Sequence, residues 1–333
     1  MKKGLYILGI IFFFGVVYLA GPKYKSPPLD RQIPKLLLEN DSLEDLIIRR
    51  ESATPGLKDD NAARIIWFND SLKDKTPFAV VYLHGFAASQ GEGFPVHINF
   101  ARRYGFNLYL TRLHGHGLNS DTALMDMTPV NLVNSAKEAI AVGKQLGDKV
   151  ILMSTSTGGT LSLYLAAGDQ DISGIILFSP NIKINNPFVP LLTGHWGLQI
   201  GRLFAGGKNR RVPVTSREDS LYWNSTYRVD AILYLQSLIE MTMKNNIFKS
   251  ITQPVFLAYY YRDQKHQDPV VRVDAMNEMF ENLGTRENMK MKRSFPESGN
   301  HVIACKYKSE AWESVEGSTF RFAEEILDLK PVD

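Results

Sequence analysis

Val150-Ile151-Leu152-Met153 runs directly into Ser154-Thr155-Ser156-Thr157-Gly158-Gly159, and the helix-forming stretch Thr160-Leu161-Ser162-Leu163-Tyr164-Leu165-Ala166-Ala167 follows at once. A buried strand, a cluster of very small side chains and a helix leave the backbone little choice. It must double back sharply, with one hydroxyl held clear of the main chain. The pattern is that of G-x-S-x-G, with Ser156 at its centre and Ser154 where the first glycine is usual. The same segment also reads as a Ser/Thr/Gly loop capping a helix, with Ser156 or Thr157 as N-cap. The rest of the chain has to decide between a nucleophile and a cap.

The flanking pattern alternates. Strands are expected over residues 63–68, 78–83, 107–113, 150–153, 174–178, 255–261 and 289–295. Helices are expected over 129–146, opened by Thr128 and Pro129, over 271–283, and near the C-terminus. Strands alternating with helices imply an α/β fold, a mostly parallel central sheet with helices on both faces. Residues 179–253 are too long for a simple crossover and carry the apolar helix 231–243. They read as a helical cap insertion, about residues 180–253, over the edge of the sheet where ligands bind. The expected layout is therefore a segment 1–21, a tether and short helix over 22–60, and a catalytic body over 61–333.

The chain has 333 residues, a formal charge of +3 and a single cysteine, Cys305. No long basic block argues for nucleic acid, and one cysteine excludes an intramolecular disulfide. Lys2 and Lys3 precede an uncharged apolar run over residues 5–21. At about 1.5 Å per residue this run approaches the thickness of a bilayer core. Tyr18 and Leu19 sit poorly in the small-residue position of a cleavage site. The expectation is an uncleaved membrane anchor, with the body extracytoplasmic and facing the periplasm in a bacterium. Secretion after signal cleavage is the alternative.

Three further pieces bear on Ser156. His84-Gly85-Phe86-Ala87-Ala88-Ser89 leaves the strand over 78–83 in the position of an oxyanion loop, which makes the main-chain N–H groups of Phe86 and Thr157 the expected donors. An acid is expected after the strand over 255–261. Asp263 lies nearest the strand end, and Asp268 opens Asp268-Pro269-Val270-Val271; the following helix favours Asp268. Ser298-Gly299-Asn300-His301-Val302-Ile303 then offers His301 as general base. His114 and His116 form an H-x-H pair that suggests a metallohydrolase, but Gly117-Leu118-Asn119-Ser120-Asp121 lacks the next histidine ligand, so no metal is expected.

With Ser156, Asp268 and His301 in the order Ser…Asp…His, the chain resembles an α/β-hydrolase of the monoacylglycerol-lipase, carboxylesterase and serine-aminopeptidase-like branch. The resemblance rests on His84-Gly85-Phe86, the turn His114-Gly115-His116-Gly117-Leu118-Asn119-Ser120, the serine turn, the Asp268 run and His301, and it covers residue 63 to the C-terminus. It implies a cofactor-free carboxylic ester hydrolase working through an acyl-enzyme. The implied partner is a small-molecule ester, and the expected anchor tilts this toward lipid-like esters. Phe188, Val189, Leu191, Leu192, Trp196, Leu198, Leu203 and Phe204 in the cap would either receive an acyl chain or form the cap's own core. The rival readings are an amide or peptide-bond hydrolase of the same fold and a non-catalytic, membrane-tethered binding module.

Overall fold

Near-continuous apolar strands, bounded by turns and separated by amphipathic helices, build a sheet covered on both sides. The computed structural model describes residues 2–36, 40–119 and 123–332. Helices α1 (Lys2–Leu19) and α2 (Asn40–Ser52) precede strands β1 (Arg64–Ile66) and β2 (Thr76–Leu83). Then come α3 (Val96–Tyr104), β3 (Asn107–Leu110), α4 (Pro129–Leu146), β4 (Gly147–Thr155), α5 (Thr157–Ala166) and β5 (Ile172–Phe178). The cap follows: α6 (Gly197–Phe204), β6 (Asn209–Arg211), α7 (Arg217–Tyr222), β7 (Thr226–Arg228), α8 (Val229–Thr242) and α9 (Asn245–Lys249). Strand β8 (Val255–Tyr259), α10 (Val273–Glu281), β9 (Lys290–Ser294) and α11 (Trp312–Glu325) complete the chain.

Among the described residues the main sheet has seven strands in the order β1-β3-β2-β4-β5-β8-β9. All neighbours are parallel except β1, which runs antiparallel to β3. Alternate side chains of β2 feed two cores. Ala79, Val81 and Leu83 pack with α4 and α5, while Val80 and Tyr82 pack with α3 and α11. Pleating puts successive residues on opposite faces, so one apolar run serves both. Helix α4 begins where Thr128 caps it, its hydroxyl accepting the Asn131 N–H, with Pro129 in the first turn. The short helix expected within 22–60 is α2, which starts at Asn40, and Leu43 and Ile47 form its buried face.

Between β5 and β8 the chain leaves the sheet and folds into the cap. Within it, Asn209–Arg211 pairs with Thr226–Arg228 as an antiparallel hairpin. Leu192, Val229 and Leu233 form a small cap core. Phe188, Leu191, Leu203 and Phe204 stay exposed, so they are not that core.

The expected membrane anchor is not supported: among the described residues, no helix is long and apolar enough to cross a membrane. Helix α1 has 18 residues and includes Lys2 and Lys3, which leaves an uncharged part shorter than the roughly 20 apolar residues a span requires. Its C-terminal end instead meets the cap. The Trp196 indole N–H donates to the Val17 carbonyl at 3.0 Å, and the His195 ring lies 2.8 Å from the Gly21 carbonyl and edge-on to Tyr18. A Cβ on Gly21 would fall 1.9 Å from the Trp196 indole, so this approach requires glycine. The following segment is also not a tether off a membrane. Leu29, Ile33 and Leu36 pack against the main core, Arg31 donates to the Ala167 carbonyl, and Lys137 pairs with Asp30.

Candidate active site

Strand β4 ends at Thr155 and α5 begins at Thr157, which leaves Ser156 alone to reverse the chain. It does so at φ 52° and ψ −115°, left-handed backbone that a serine rarely adopts. Four main-chain hydrogen bonds hold it there. The Ser156 N–H donates to the Phe178 carbonyl at 3.0 Å, and its own carbonyl accepts from Gly159, Thr160 and Asn181. The two glycines are dictated by close approach. A Cβ on Gly158 would lie 1.9 Å from the Leu83 carbonyl oxygen, and one on Gly159 would lie 2.6 Å from Pro180 Cβ. No comparable crowding excludes a side chain at Ser154, which is buried with its hydroxyl 3.4 Å from the Ile176 carbonyl.

Asp268 and His301 come together from loops beyond β8 and β9. His301 Nδ1 lies 2.7 Å from Asp268 Oδ2, and both residues are buried. The other carboxylate oxygen, Oδ1, accepts the N–H groups of Val270 at 2.8 Å and Val271 at 3.0 Å. The Asp-Pro-Val-Val run thus folds its own main chain around the carboxylate. Burial pushes the Asp268 carboxyl up, but the neighbouring His301 and these donors outweigh it and leave the pKa lowered. Burial works against the His301 cation, and Asp268 reverses this, so the His301 pKa is raised. Among the described residues, His301 Nε2 is buried without a hydrogen-bond partner. Asp263 lies elsewhere: it is exposed and bonded to the ring and N–H of His266 and to the Lys265 N–H.

The loop after β2 passes beside the serine, where a Cβ on Gly85 would lie 3.0 Å from Ser156 Cβ. Among the described residues, the N–H groups of Phe86 and Thr157 donate to no main-chain or side-chain acceptor. The Phe86 ring stands edge-on to Tyr227 of the cap at 5.0 Å.

A family model described as serine aminopeptidase, S33, matches residues 74–290, more than half of the chain. The chain belongs to this family. A thermostable monoacylglycerol lipase from Bacillus sp. (strain H-257) is 32% identical over 109 residues, which is 32% of this chain. The matched stretch spans only 42% of that lipase. The fold is similar to that of a solved metagenome-derived lipolytic enzyme of the LipS and LipT pair, with a TM-score of 0.63 at 16% identity over 80% of this chain and 97% of the other. It is also similar to a soluble variant of the Saccharomyces cerevisiae monoglyceride lipase, with a TM-score of 0.53 at 13% identity over 79% and 91%. Est1E from Butyrivibrio proteoclasticus, solved with ferulic acid bound, gives a TM-score of 0.52 at 16% identity over 80% and 95%. At such identities the structural likeness speaks for the fold alone. Family and fold together give the protein a serine-hydrolase-like α/β-hydrolase fold, related to the lipase, esterase and S33 peptidase branch.

In this S33-family protein the H-x-H pair is split. His114 bonds Asp126 at the surface, whereas His116 is buried, with Nδ1 against the His114 carbonyl and its ring edge-on to His84. Ser120 and Asp121 of that turn lie outside the described residues. His84 supports the loop from beneath: Nδ1 donates to the Gly85 carbonyl and Nε2 accepts the Leu113 N–H, which fixes a neutral tautomer. Burial lowers the pKa of His84 to about 4, and that of His97 likewise.

Because these folded-state values lie below the ordinary one, each imidazole favours the folded state above pH 6.5. That contribution is lost as the pH falls toward 4. The ring C–H resonances of His84 and His97 should therefore stay flat from pH 8 to pH 5 in an NMR titration. A midpoint near 6.5 would show that these rings are not desolvated.

The sequence offered one residue that the reading above missed. Glu92 is the sole Asp, Glu, Lys or Arg between Lys75 and Arg102. It is 3% exposed, and its Oε2 accepts the Gly85 N–H at 2.5 Å. Isolation in an otherwise uncharged, glycine-rich loop was the available signal, since an acid rarely goes inside without a partner.

Proposed function

We propose that the protein hydrolyses carboxylic esters through Ser156, His301 and Asp268. The observation that carries this is the buried Asp268–His301 pair, whose free Nε2 belongs to the same sheet edge as a strained, backbone-pinned serine. In the proposed reaction Ser156 Oγ attacks the ester carbonyl carbon while its proton passes to His301 Nε2. Asp268 holds Nδ1–H toward itself and stabilises the imidazolium. The carbonyl oxygen takes negative charge against the N–H groups of Phe86 and Thr157, each worth about 3 kcal/mol at the transition state. Collapse breaks the ester C–O bond, the alcohol leaves with the His301 proton, and water releases the acyl group by the same steps.

The cap offers an apolar hollow for an acyl group, lined by none of the proposed triad or oxyanion residues. A cavity of about 310 Å³ is lined by Phe188, Val189, Leu191, Leu192, Ile200 and Phe204 among others. The S33 family description favours a second reading, amide hydrolysis. A p-nitrophenyl ester series from acetate to decanoate, run beside aminoacyl p-nitroanilides, separates the two. We expect kcat/KM to rise from acetate toward medium chains and to exceed the anilides by at least about 100-fold. Anilides turned over faster than every ester would replace the ester reading with the amide one.

A further inference from the structure

We infer that Glu92 is a positioning residue of this hydrolytic site, its carboxylate clamping the Gly85 N–H of the oxyanion loop and lending negative charge to the imidazole that Asp268 also serves. The inference rests on the ester-hydrolase reading and goes beyond it, because neither the triad nor the oxyanion donors require a second buried acid.

Glu92 lies in a single turn of 3-10 helix, Gln90–Gly93. Gly85 is held between this acid and the serine. A methyl group placed on Gly85 would stand 2.9 and 3.0 Å from the two carboxylate oxygens and 3.0 Å from Ser156 Cβ. The clamped N–H precedes by one residue the Phe86 N–H assigned to the oxyanion, and Ala87 beyond it is left-handed at φ 58°. A loop bent in this way keeps a donor aimed only while its neighbours are tied down.

The charge is the second half of the argument. The groups that act electrostatically on Glu92, or on which it acts, are Gly85 after β2, Tyr82 within β2, Trp223 of the cap, and His301 and Cys305 after β9. Of these, His301 is the one that becomes cationic during turnover. Burial pushes the Glu92 carboxyl up to about 7, with the Gly85 N–H, His301 and Trp223 pulling the other way. Glu92 in turn raises the pKa of His301, in the same direction as Asp268. An ionised Glu92 therefore makes His301 a stronger base, and a protonated or absent one weakens it.

Glu92→Gln keeps the shape and an acceptor for Gly85 but removes the charge; Glu92→Leu removes both. For Glu92→Gln we expect kcat to fall about tenfold with KM within about twofold, and the acid limb of kcat/KM to move to lower pH as His301 loses a neighbouring anion. For Glu92→Leu the fall in kcat should be on the order of 100-fold, the size of a misplaced oxyanion donor. Thermal midpoints show whether the leucine variant folds; if it does not, the isosteric glutamine variant carries the test. A glutamine variant with wild-type kcat and an unmoved acid limb overturns the inference while leaving the hydrolase reading intact. A wild-type protein that neither hydrolyses esters nor reacts with a fluorophosphonate sinks both.

Discussion

Ser156→Ala should lower kcat for a p-nitrophenyl ester by at least about 10⁴-fold and abolish labelling by a fluorophosphonate probe. The size follows from the division of labour in the site. His301 and the main-chain donors of Phe86 and Thr157 remain, so residual water attack at a polarised carbonyl survives, but the covalent route is closed. The substitution is also clean. Among the described residues Ser156 Oγ makes no side-chain hydrogen bond, and the positive φ is imposed by bonds to Phe178, Gly159, Thr160 and Asn181 that alanine keeps. Alanine tolerates the left-handed turn no better than serine does, and no worse, so the thermal midpoint should stay within about 2 °C. Retained esterase activity in a folded Ser156→Ala protein would move the nucleophile elsewhere.

The order of strands and helices could be read because the apolar runs of β2, β4, β5 and β8 are uninterrupted and the helix starts carry capping chemistry, as at Thr128-Pro129. What could not be read depended on partners distant in the chain. The basic stretch at Lys208 to Arg211 offered no hint of pairing with Thr226–Arg228, since a three-residue strand has too little pattern to announce itself. The N-terminal run had the composition of an anchor, and composition alone says nothing of Trp196, nearly two hundred residues away, which receives Gly21 and Val17. At the site, Ser156, His301 and both candidate acids were visible because motifs carry them. Glu92 belongs to no motif; only the folded loop brings it onto Gly85.

The choice between the two acids gives the other large effect. Asp268→Asn should lower kcat about 10⁴-fold, and Asp263→Asn should change it by less than about twofold. The asymmetry comes from how each carboxylate is bonded. Asp268 Oδ1 is committed to the N–H groups of Val270 and Val271, so an asparagine there must keep its carbonyl oxygen on that side. Its NH₂ then faces His301 Nδ1 at the 2.7 Å position now held by Oδ2. A donor opposite Nδ1 forces the proton onto Nε2, the nitrogen that must accept the serine proton, and the imidazole is locked in the unproductive tautomer. Asp263, by contrast, serves an exposed turn through His266 and Lys265, and an amide oxygen can accept the same N–H groups. Steady-state kinetics of both variants at pH 8, with thermal midpoints to confirm folding, decides the matter. A larger loss in Asp263→Asn than in Asp268→Asn would mean that the loop from 262 to 268 rearranges during turnover and that the Asp268–His301 contact is not the working pair.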